Sequence, residues 1–158
     1  MKRSLLSVTL TVLFFSLAAR AHEGGHGPVL NDQPREGGLS VQPIIDAKDS
    51  KVGPGAELVY KSELVPNSDG TFSLFVYDKD LNKVPMDNFM KSADGKIGPM
   101  KKNPKWKTES FTLEKRGDHF EGKLPQIKLK PYYLDITLTE GDRKLLTAYD
   151  NLDWSPKK

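Results

Sequence analysis

The chain has 158 residues, 24 basic and 21 acidic side chains, 37% apolar residues and no cysteine. Without cysteine there is no disulfide scaffold, thiol catalysis, iron–sulfur cluster, thiolate zinc site or blue-copper site. Lys2, Arg3 and Arg20 are the only charged residues among the first 21, so residues 22–158 carry 21 of each sign, a balance unlike the basic footprint of a nucleic-acid binder.

Residues 1–21 read as a secretory signal. Lys2 and Arg3 form a positive start, residues 5–17 an apolar run, and Ala19-Arg20-Ala21 an A-x-A cleavage site. The apolar run is shorter than the roughly 20 residues that span a bilayer. Cleavage between Ala21 and His22 is expected to deliver residues 22–158, one domain's worth, to the periplasm or the exterior with no transmembrane segment.

Residues 22–55 are broken by HEGGHGP, NDQPREGG and SKVGPG and read as a flexible Gly/Pro-rich arm. Within it LSVQPIID is expected to form an edge strand, because Pro43 cannot donate to a central ladder. From residue 56 to 158 the pattern has period two. Leu58, Tyr60 and Leu64 share one face, and a turn at Asn67-Ser68-Asp69-Gly70 leads to a strand with Phe72, Leu74 and Val76 on one side and Phe75 and Tyr77 on the other. That is a hairpin whose second strand is buried on both faces. Residues 79–105 are irregular. A second hairpin joins 106–114 to 119–124 through Lys115-Arg116-Gly117-Asp118, and a third joins 132–139 to 143–150 through Glu140-Gly141-Asp142. About seven antiparallel strands with frequent turns predict an all-β domain, a single immunoglobulin-like β-sandwich behind the arm.

The histidines carry the strongest chemical signal. If His22 begins the mature chain, its free amine and ring Nδ1 chelate one metal ion. Gly24 and Gly25 then let His26 add a third nitrogen. Such nitrogen-rich sites favour Cu(II), with Zn(II) as the alternative. His119 is the third histidine, set by alternation on the solvent side with Glu121 and Lys123, and is a candidate further ligand. Asp78-Lys79-Asp80-Leu81-Asn82 opens like a calcium loop, but Lys83 and Phe89 stand where Gly and Glu are required, so it reads as a turn. Arg116-Gly117-Asp118 reads as a hairpin turn rather than an adhesion tripeptide. The stretch from Lys91 to Lys107 holds six lysines and one carboxylate, Asp94, and is expected to be a solvated loop able to dock an envelope protein or acidic surface. No catalytic motif is present.

With its HEGGHGP start and the strands AELVYKSEL, GTFSLFVYDKD and ESFTLEKRGDHFEGKLP, the chain resembles small exported bacterial β-sandwich proteins akin to periplasmic heavy-metal-handling modules. It is also similar, through His22, to periplasmic copper carriers with an N-terminal histidine. The resemblance implies a non-enzymatic periplasmic Cu(II) carrier. A non-catalytic envelope or protein-partner binding module is the alternative expectation. A third is an N-terminal-histidine copper oxygenase, whose second brace histidine would have to be His119.

Overall fold

The computed structural model describes residues 27–101, 106–125 and 130–154; the segment expected to be a leader, His22 and His26 lie outside them. Eight strands follow in order: β1 (Val41–Asp46), β2 (Leu58–Pro66), β3 (Thr71–Tyr77), β4 (Ser92–Pro99), β5 (Glu109–Arg116), β6 (His119–Lys123), β7 (Tyr132–Glu140) and β8 (Arg143–Leu152). Every pairing is antiparallel, and the strands close into one barrel in the order β1-β2-β3-β6-β5-β4-β7-β8.

The expected immunoglobulin-like sandwich is therefore wrong: the sheet is a closed barrel of eight strands. The strand missing from the sequence reading is β4. It pairs with β5 on one side (Gly95 opposite Phe111) and β7 on the other (Gly95 opposite Ile136), so it joins the second hairpin to the third. Its inward residues are Ala93, Gly95 and Ile97, too small and too glycine-rich to announce a strand. Consequently the lysine-rich stretch 91–107 is not one loop, and Lys96 stands on the outer face of β4. The three sequence-predicted hairpins form as β2–β3, β5–β6 and β7–β8.

Closure runs through β1, which is no edge strand. It pairs with β2 from Val41 to Ile45 and with β8 only at Ile45 and Asp46, so Pro43 lies outside the β8 ladder. Arg143 Nε donates to Asp46 Oδ2 at 2.8 Å and clamps this short seam. Closing the sheet removes the unpaired edges that an open one must protect. The interior is filled by side chains, as in other small eight-stranded barrels. Phe72, Leu74, Val76, Ile97, Leu113, Phe120, Leu134, Ile136, Leu138 and Leu145 are all fully buried there. Near the seam the packing is polar. Tyr149 donates to Ser62 Oγ at 2.9 Å, and Ser62 Oγ lies 2.8 Å from Thr147 Oγ1. These buried hydroxyls satisfy one another, as burial demands.

Candidate functional site

Residues 31–38 cross the outside of β2 and β3 as a strap. Period-two alternation turns Lys61 and Glu63 of β2 outward, where solvent would be expected, yet the strap covers them and leaves Glu63 fully buried. Asp32 Oδ1 accepts from Lys61 Nζ at 3.0 Å. The Glu63 carboxylate accepts the backbone N–H groups of Arg35 (2.7 Å), Glu36 (2.9 Å) and Gly38 (2.7 Å), and the hydroxyl of Tyr77 (3.1 Å). Every group facing it is a donor, which is what an ionised carboxylate requires. Gly37 makes the cradle possible: its φ of +76° curls the chain so that successive N–H groups converge on one anion. Gly38 is needed for space, since a Cβ there would meet Glu63 Oε1 and the Leu64 carbonyl oxygen at 2.7 Å. Burial and the Glu63 charge together push the Tyr77 hydroxyl well above the usual tyrosine range.

The strap also reaches the predicted histidine. Glu36 Oε1 lies 2.9 Å from Lys83 Nζ, which is 2.8 Å from Asp118 Oδ2 and 4.5 Å above the Phe75 ring. Asp118 Oδ1 is in turn 3.0 Å from His119 Nδ1, and Glu121 Oε2 is 3.7 Å from His119 Nε2. The hydrogen bond from His119, then that from Lys83, hold the Asp118 carboxyl down at about 2. Asp118, then Glu36, raise Lys83. His119 pairs with Phe75 across β3–β6, and its half-buried ring packs at 5.0 Å from the Phe75 ring. Alternation placed His119 outward beside Glu121, and outward it is; the Phe75 ring and the link through Asp118 and Lys83 to Glu36 are what the sequence did not reveal.

The same tight turn accounts for Arg116-Gly117-Asp118. Gly117 takes φ +59° between β5 and β6, and the Asp118 carboxylate is committed to its two neighbours. Asp78 likewise spends its carboxylate on its own turn, accepting from the N–H groups of Asp80 and Asn82 at 2.9 Å.

Of the proposed metal ligands, His22 and His26 lie outside the described residues. Gly27, where the described chain begins, packs on Pro43 and Ile45 of β1, whereas His119 is on β6. Three inter-strand steps separate β1 from β6, about 14 Å at ~4.8 Å per step. The strap thus starts at one side of this face and brings the Glu36 carboxylate, not its beginning, to the His119 corner. Among the described residues no group of three or more His, Asp or Glu side chains is arranged to hold a metal ion. No helix among them is long and apolar enough to cross a membrane. The strap anchors were missed because Lys61 and Glu63 look like ordinary solvent-face charges. The usable signal was Glu36-Gly37-Gly38, a turn able to aim backbone N–H groups at an anion.

Comparison with protein-family models, curated proteins and solved structures found no match to this chain.

Proposed function

We propose that the protein is an exported metal-binding protein that holds Cu(II) at a mature N-terminus beginning with His22. The ligands are the His22 amine and imidazole and the His26 imidazole. The observation that carries this reading is the segment Ala21-His22-Glu23-Gly24-Gly25-His26, which puts a chelating histidine directly after the A-x-A site. Two structural features support it. The barrel interior is filled, so a ligand is bound on the outside or by the arm. The Glu63 cradle fastens the chain to the barrel from Arg35 onward, nine residues after His26. A site near the chain's beginning suits a carrier, because the ion can pass to an acceptor without opening the barrel. His119 is left out of the ligand set because it stands on β6, three inter-strand steps from β1, where Gly27 packs.

Electron paramagnetic resonance of the copper-loaded mature chain tests this. Nitrogen hyperfine structure is expected, to be lost in His22→Ala and retained in His119→Ala. A spectrum unchanged by His22→Ala would refute the assignment.

A further inference from the structure

The outer face of the barrel opposite the strap carries a trough that the metal reading does not use. It lies over β5, β4 and β7, and one wall is the 3₁₀ segment Ala47–Gly55, which follows β1 and packs against β8. The strand register stacks its floor in two rows. Thr112, Asp94 and Thr137 stand side by side in one, with Ser110, Lys96 and Asp135 in the next. Ser50 faces them from the wall, and the enclosed volume is about 320 Å³.

A barrel exterior is convex and holds little unless something walls it; here the 3₁₀ segment does so. The volume falls at the low end of small-ligand sites, which begin near 300 Å³. The chemistry narrows the occupant. Asp94 and Asp135 offer acceptors, Lys96 offers donors, and the Ser and Thr hydroxyls offer both. Two carboxylates, Asp94 and Asp135, against the one ammonium of Lys96 disfavour an anion, and among the described residues no three acidic or histidine side chains converge to hold a metal ion. The short floor side chains let a ligand approach closely, and the rows run across the strands at ~4.8 Å intervals. A ligand with many hydroxyls and no charge matches this surface.

We infer that this trough is a binding site for a neutral saccharide chain. Asp94 accepts from sugar hydroxyls, Lys96 donates to them, and Thr112 and Thr137 exchange hydrogen bonds on either side of Asp94. The site is separate from the histidine segment, so copper binding and saccharide binding are tested independently.

The test is amide NMR of the ¹⁵N-labelled mature chain titrated with cellohexaose, chitohexaose and, as a charged control, heparin. Saturable shifts are expected at the amides of Gly95, Thr112 and Thr137 with at least one neutral hexamer, and which hexamer acts separates plain from N-acetylated glycans. Asp94 and Lys96 are exposed, so Asp94→Ala and Lys96→Ala should keep the wild-type thermal midpoint while weakening binding at least tenfold. Three results would overturn the inference: no shift at millimolar hexamer, shifts that survive both substitutions, or heparin binding at the same amides as tightly as the neutral chains.

Discussion

Phe111 of β5 lies directly over Gly95 of β4, so closely that a Cβ at Gly95 would sit 2.1 Å from the ring's Cζ. The two residues are register partners, and the ring takes the place of the side chain that β4 lacks. This pairing keeps the strand that joins the second hairpin to the third thin enough for the interior to fit around it.

Gly95→Ala is therefore expected to be far more damaging than a strand glycine replacement usually is. Overpacking a filled core typically costs about 1–3 kcal/mol, and here the obstruction is a buried ring at 2.1 Å from the added Cβ. Urea unfolding followed by circular dichroism should show a lower midpoint. Phe111→Leu placed in the same chain should recover part of the loss by making room. An unchanged midpoint in Gly95→Ala would mean that the ring is not wedged there.

The strap should come away without the barrel unfolding. Glu63→Ala deletes the acceptor for three backbone N–H groups and the Tyr77 hydroxyl. Leaving a buried donor unpaired costs about 1–3 kcal/mol, and lifting the strap into water avoids that cost. Hydrogen exchange should show faster exchange at the Arg35, Glu36 and Gly38 amides, with the amides of β7 unchanged. Gly38→Ala should do the same by pushing the strap off the carboxylate. Uniformly faster exchange across the barrel would instead show that the strap is part of its cooperative unit.

Acid stability should depend on the hairpin turn beside His119. Folding lowers the Asp118 carboxyl from its ordinary value near 3.8 to about 2. A lowered carboxyl contributes stability above its unfolded value and loses it as pH falls through the folded one. The contribution is thus complete above about pH 4 and disappears toward pH 2. Asp118 is more than half exposed, so solvent screening limits it to about 0–1 kcal/mol. Thermal midpoints of Asp118→Asn should fall slightly below those of the wild type at pH 6 and converge with them near pH 2. A gap that persists at pH 2 would place the effect elsewhere.

These relationships mark how far the sequence could be read. Alternation in Tyr132–Glu140 and Thr71–Tyr77 exposed those strands because large apolar residues mark every second position. It failed at β4, where Gly95 and Gly98 replace the expected side chains. Gly98 is covered from the outer face by Tyr133, as Gly95 is covered from the inner by Phe111. The large side chains that mark the strand therefore sit on its partners, Phe111 on β5 and Tyr133 on β7. The same holds for Glu63: its place on the outer face follows from alternation, but its burial depends on a strap more than twenty residues away in sequence. His119 was legible as outward-facing; Lys83 and Glu36, which link it to the strap, come from separate segments.

The central claim is that signal cleavage turns the His22 nitrogen into a copper ligand. A Cu(II) competition titration at neutral pH should compare the chain beginning at His22 with one that retains Ala21 ahead of it. The amine must be unprotonated to bind, so affinity in the first chain should also fall as pH drops through about 8 to 6. Retaining Ala21 leaves both histidines in place but converts the His22 nitrogen to an amide and moves the free amine one residue upstream. Affinity about a hundredfold weaker in the extended chain, some 2.7 kcal/mol, is the expected result. Equal affinity in the two chains would contradict the account.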